Sequence, residues 1–278
     1  FKGKNQVMLD NLPYYTVKEL KVYDRSSEKS RLMGKEMEKK DYVMDVALKR
    51  EYSRGYIANM EAAGGSEDRY LARLFGLYYT DNSRISVFGN MNNMNETRRP
   101  GSQGDWSPSN SPQGQKTTRQ VGVDFNTTSK SQEIREQGNV TFAWDNTHDL
   151  THSSQENFAS TGNIFGRSIS DSRSDNHSFN LYNNFGVSGK LGVWLDTRID
   201  YSDRKSSSSN RSATYSANPK RWGDISQTID STFAQNVSGS LHDIITNRSL
   251  YQSRSKEHAF TGSQTAMVWY KLPWGDRI

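Results

Sequence analysis

Three side chains stand out for what they could do together. Asp196, Arg198 and Asp200 alternate along one stretch, and residues two apart in a strand share a face. Their companions Leu191, Val193, Leu195, Thr197, Ile199 and Tyr201 fall on the other face. A strand of this kind can line a wet channel with charge while its other side meets lipid or a core. The plainer use of the three charges is a solvated wall; the sharper one is a polar track along which a solute passes. Asn180 and Asp124 lie on the polar side of two further stretches of the same pattern, so the candidate lumen-facing set is Asp124, Asn180, Asp196, Arg198 and Asp200. Trp106 and Trp222 sit in polar connections and are candidates for an external binding face, or for anchors of those loops.

Other chemistry is weaker. His148 and His152 have a spacing that could hold a metal on a helix, but they end a strand, where such positions lie far apart. Ser26, Ser27, Glu28 and Lys29 match a serine-x-x-lysine nucleophile pattern in a charged loop without its partner motifs. No phosphate-binding glycine loop, nucleophile elbow or carboxylate pair stands out. The chain is read as a non-enzyme, with no catalytic residue, metal or cofactor assigned.

Composition agrees with a wall. Hydrophobic residues make up 32% of the 278 and aromatics 11%, which disfavours a helical bundle and permits long strands with one wet face. The net charge of +5 is interspersed, so nucleic acid is not an expected partner. There is no cysteine, hence no disulfide or thiolate metal site. No apolar run approaches the ~20 residues of a membrane helix, so spanning would require a barrel. The chain opens at Phe1 without a signal peptide and stops after a strand, at Trp274 to Ile278, and is read as a segment of something longer.

Eight strands are expected: 56–63, 70–80, 84–94, 118–127, 139–145, 179–187, 191–201 and 258–272. Tyr56, Ala58, Met60 and Ala62 share a face in the first, and Ile85, Val87, Gly89 and Met91 in the third. The second is apolar on both faces, with Arg73 marking the wet one. Gln264 interrupts the apolar face of the last. Trp269, Tyr270 and Trp274 suit an aromatic girdle. Short turns at 81–83, 129–133 and 188–190 alternate with long connections at 95–116, 148–173 and 204–256; strand pairing could continue into the second and third of these. Outer-membrane barrels sort their loops in this way. Ahead of the wall, Asn11 and Pro13 predict a helix over 13–19, followed by a buried strand at 20–23, a charged stretch to Lys40 and a strand at 42–48. That piece is too small to own a core.

The runs LDNLPYYTVKELKVYDR (from Leu9) and YVMDVALKREYSRGYIANMEAAGGSEDRYLARLFGLYYTDNSRISVFGNMNNMN (from Tyr42) resemble the plug-to-barrel junction of TonB-dependent-receptor-like outer-membrane proteins of Gram-negative bacteria. The resemblance is to the group with a carboxypeptidase-regulatory-like domain ahead of the plug, and covers roughly the first hundred residues. It implies that 1–54 is the C-terminal part of a plug domain. Residues 55–278 would then be about eight antiparallel strands from the N-terminal part of a larger transmembrane β-barrel in the outer membrane. It also implies uptake of an unidentified solute. The partners it implies are outer-membrane lipid, TonB through a segment ahead of Phe1, and a surface lipoprotein. The alternative function is a surface structural or adhesin-type barrel that transports nothing.

Overall fold

A computed structural model describes residues 13–27, 30, 36, 39–96, 114–158, 160 and 162–272. Two antiparallel sheets dominate it. A hairpin pairs β1 (Val17–Arg25) with β2 (Asp41–Leu48). Eight further strands form one continuous sheet in sequence order: β3 (Gly55–Gly64), β4 (Tyr70–Tyr79), β5 (Ser83–Asn92), β6 (Gln115–Thr128), β7 (Ile134–Asn157), β8 (Ile164–Val187), β9 (Leu191–Tyr215) and β10 (Ile245–Tyr270). The sheet is open, with β3 and β10 at its two edges. The eight expected strands are thus present, and the sheet is an all-antiparallel meander, as consecutive hairpins require.

Strand pairing aligns one largely apolar face across the eight strands. Val121 lies opposite Phe142, Phe142 opposite Phe179, Phe179 opposite Tyr201, and Tyr201 opposite Phe260. The next level reads Val87, Val123, Val140, Leu181 and Ile199. Because side chains alternate, residues one position away make up the other face, which is polar apart from the apolar patch of β4 and β5 and the tryptophans of β9 and β10. Glycines on one strand receive aromatic rings from the next. Trp269 stands opposite Gly192, where an added Cβ would lie 2.0 Å from the indole, and Phe88 opposite Gly122, where it would lie 2.3 Å from the ring. Such pairs fix register as well as fill space.

Three short turns lie at the same end of the strands. In the β4–β5 turn, Thr80 Oγ1 accepts from the Ser83 and Asn82 amides at 3.0 and 3.3 Å. Successive turns are stitched together: the Thr128 amide donates to Asn82 and the Ser188 amide to Glu133, each at 2.7 Å. At the opposite end β7 to β10 run far past the apolar band, into serine-, asparagine- and charge-rich sequence. The connection expected over 148–173 therefore narrows to 158–163, and the one expected over 204–256 to 216–244. Polar side chains on both faces suit strands that are solvated on both sides.

The last connection folds onto the extended strands. Helix α1 (Ile225–Thr232) begins in a capping box between Asp224 and Gln227, with Gly223 at φ +105° ahead of it. A short helix α2 (Gly239–His242) follows. Ile229 and Leu241 bury against Ile169, Ala213 and Tyr215. Arg167 of β8 donates to the Gly223 and Asp224 carbonyls and to Thr228 Oγ1, at 3.2, 3.0 and 2.7 Å.

The N-terminal piece departs from expectation. In place of a helix over 13–19 there is a single 3-10 turn, Tyr14–Thr16, with Pro13 at its N-cap; Asn11 lies outside the described residues. Pairing with β2 draws Val17 onward into a strand, since the ladder satisfies backbone groups that a short isolated helix would leave to water. Leu20 and Val22 are exposed rather than buried. The hairpin meets the large sheet at its end. Leu48 packs on the cluster Phe75, Leu77, Tyr79 and Phe88, which is why β4 is apolar on both faces. Trp269 is a second correction. It is adjacent to Tyr270 and so faces the other way, buried with Trp194 and Met267. Tyr270 stays exposed, and Trp274 lies outside the described residues.

Candidate functional site

Burial is inverted between the two faces. On the apolar face Tyr56 is 84% exposed, Met60 79%, Phe260 71% and Val268 65%. On the polar face Asn92 is 1% exposed, Ser86 2%, Asn184 3% and Asp124 5%. A water-soluble sheet does the reverse, and it is buried polar groups and large exposed apolar surfaces that carry information.

Strand register assembles the polar face into rows. One runs Ser86, Asp124, Asn139, Tyr182, Arg198, Ser263; its neighbour runs Arg84, Asn126, Gln137, Asn184, Asp196, Thr265. Four of the candidate residues are brought together on β8 and β9. Asp196 Oδ2 accepts from Asn184 Nδ2 at 3.1 Å and from the Tyr182 hydroxyl at 3.3 Å. Arg198 Nε lies 3.8 Å from Asp196 Oδ1, and its guanidinium stands 5.3 Å from the centre of the Tyr182 ring. Asn180 Nδ2 donates to Asp200 Oδ1 at 2.7 Å. Asp124 shares a row with Arg198 but sits on β6, buried, with Asn139 and Tyr182 between them in register. Arg73 is buried on the same face and ion-paired with Glu61. Tyr182 and Asn184 are network members that single-residue inspection passes over. The signal for both was alternation with Asn180.

The remaining candidates separate. Trp106 lies outside the described residues. Trp222 is half-buried against the Ile229 and Leu241 cluster, with the Arg221 guanidinium 3.9 Å from the centre of its ring. That is the placing of a loop anchor. His148 and His152 lie on β7, where four residues of strand separate them by about 13 Å. His148 meets Asp171 at 3.0 Å, and no group of three metal-binding side chains occurs among the described residues. Ser26 bonds Glu36, while Glu28 and Lys29 lie outside the described residues. Gln264, the interruption of the apolar face, lies opposite Thr197, whose hydroxyl donates to its amide oxygen at 2.6 Å.

Away from the apolar band, Asp81 and Tyr215 have shifted proton affinity. At the sheet edge Arg54 Nε and Nη2 donate to Asp81 Oδ2 at 3.1 and 2.8 Å, and this bonding holds the Asp81 carboxyl below the usual carboxylate value. In the α1 cluster burial pushes the Tyr215 hydroxyl up, opposed by its bond to Thr232. Comparison of the chain with protein-family models, with curated proteins and with solved structures finds no match in any of the three.

Proposed function

We propose that residues 55–278 are part of a transmembrane β-barrel in an outer membrane. In this reading residues 1–54 end a plug within its lumen, and the whole is a receptor that takes up a solute. The observation that carries this is an apolar face aligned by register over eight strands and exposed at Tyr56, Met60, Phe260 and Val268, with buried polar residues behind it at Ser86, Asn92, Asp124 and Asn184. Dimensions agree with it. Leu191 to Tyr201 extends about 33 Å, which at a tilt near 40° spans a band about 25 Å tall. The lower limit of the apolar residues also climbs the register, from Leu191 on β9 to Ile85 on β5, which is level with Thr197. A horizontal band crossing tilted strands climbs by roughly one residue per strand. For the lumen, the polar rows supply water-compatible walls, and Leu48 meets the sheet on that side.

Two measurements test the reading. The chain has no cysteine, so single cysteines report topology cleanly. Ala217→Cys should react with an impermeant thiol reagent on intact cells, and Asn82→Cys only after the outer membrane is opened. The reverse pattern would overturn the orientation. In planar bilayers the full-length protein should conduct little, and deletion of residues 1–54 should open it. Conductance unchanged by the deletion would reject the plug and favour a structural barrel.

A further inference from the structure

An open groove of about 740 Å³ lies on the apolar face across β3 to β7. Its floor is made of small outward residues, Ala62, Ala72 and Gly89, and of backbone along the row Glu61, Arg73, Asn90, Gln120. Met60, Leu74 and Val121 wall it on one side, Met91 and Trp144 on the other. One cation interrupts this apolar lining. Arg119 shares the face, stands in register between Met91 and Trp144, and is exposed. Among the described residues no carboxylate is paired with it.

Within the proposed barrel, we infer that this groove is a seat for one acyl chain of a phosphate-bearing lipid, with Arg119 holding the phosphate. The occupant must match an apolar trough with a single positive charge at one margin, and that is the layout of an anionic lipid. The level is right as well. Beyond Arg119 the next outward residue of β6 is Thr117, so the arginine sits where the apolar residues end. Trp144 beside it, stacked on Phe142 with ring centroids 6.2 Å apart, is of the type that populates the membrane–water boundary. A guanidinium there can form two parallel hydrogen bonds to a phosphate. The small floor residues let the chain approach the backbone, where a larger side chain would exclude it.

The test uses the full chain in phosphatidylcholine vesicles doped with spin-labelled phosphatidylglycerol or spin-labelled phosphatidylcholine. The wild type should immobilise the anionic probe about two- to fivefold more than the neutral one, the range of an exposed ion pair. The preference should shrink at high salt. Arg119→Gln should bring the ratio to one and Arg119→Lys should retain most of it. Ala72→Trp should reduce immobilisation of the anionic probe with Arg119 still present. Equal immobilisation by the wild type, or a preference that survives Arg119→Gln, overturns the lipid seat while leaving the barrel standing. A chain that does not enter the vesicles overturns both.

Discussion

Leu195 and Asp196 are neighbours on β9, and the proposed barrel assigns them opposite solvents. Leu195 stands opposite Phe185 and Ala266 on the apolar face, near the middle of the stretch from Leu191 to Tyr201. Leu195→Arg should therefore carry a guanidinium into hydrocarbon, at about 2–4 kcal/mol near the midplane. That is roughly 30- to 1000-fold in the folding equilibrium at about 1.4 kcal/mol per tenfold. Asp196→Asn keeps an oxygen for the Tyr182 and Asn184 donors and loses only the attraction to a largely exposed Arg198 at 3.8 Å, worth under about 1 kcal/mol. The assay is assembly yield in outer membranes, read as the heat-modifiable, protease-resistant band. Leu195→Arg should be nearly absent and Asp196→Asn close to wild type. In a water-soluble sheet the order would differ, because a surface leucine exchanged for arginine changes stability by no more than about 0.5 kcal/mol. Equal yields would refute the assignment of β9 to the membrane.

Further outcomes are expected at Gly192, Tyr215 and Asp81. Gly192→Ala should destabilise the wall by about 1–3 kcal/mol in urea denaturation, because the new methyl meets the Trp269 indole. Tyr215→Phe should cost about 0.5–1.5 kcal/mol through loss of the 2.8 Å bond to Thr232, seen as earlier proteolysis of the α1 connection. As the folded Tyr215 titrates above its unfolded value, stability of that cluster should be constant below the unfolded value and fall as pH rises toward the folded one. The Arg54–Asp81 pair has the opposite sign. With Asp81 held below its unfolded value, its contribution is present above that value and is lost as pH falls through the folded one, and Asp81→Asn should abolish this pH dependence in amide exchange at the β4–β5 turn.

The eight wall strands and the sorting of their faces are legible in the sequence because alternation is a local property. Val193, Leu195 and Ile199 declare their side without knowledge of any partner strand. The separation of Trp269 from Tyr270 follows from the same rule, since adjacent strand residues cannot share a face. That pairing continues into the second and third long connections is open from the sequence and is found, but the extent of β7 to β10 is not legible: Ser206 to Ser209 and their partners are polar on both faces, so no period marks where these strands end. The N-terminal turn misleads for a related reason. Pro13 is a sound helix signal, but the pairing of Val17 to Arg25 with β2 outweighs it.

Register and coverage belong to the tertiary structure alone. No local pattern places Tyr182 and Asn184 on Asp196, or stands Gly122 beneath Phe88. None predicts that Leu48 covers the second apolar face of β4, or that Ala62, Ala72 and Gly89 meet in one groove below Arg119. Where apolar and polar residues alternate, their side of the strand can be read locally, because it depends on the pleat. The fold decides which residues meet, because that depends on how strands far apart in the chain are aligned.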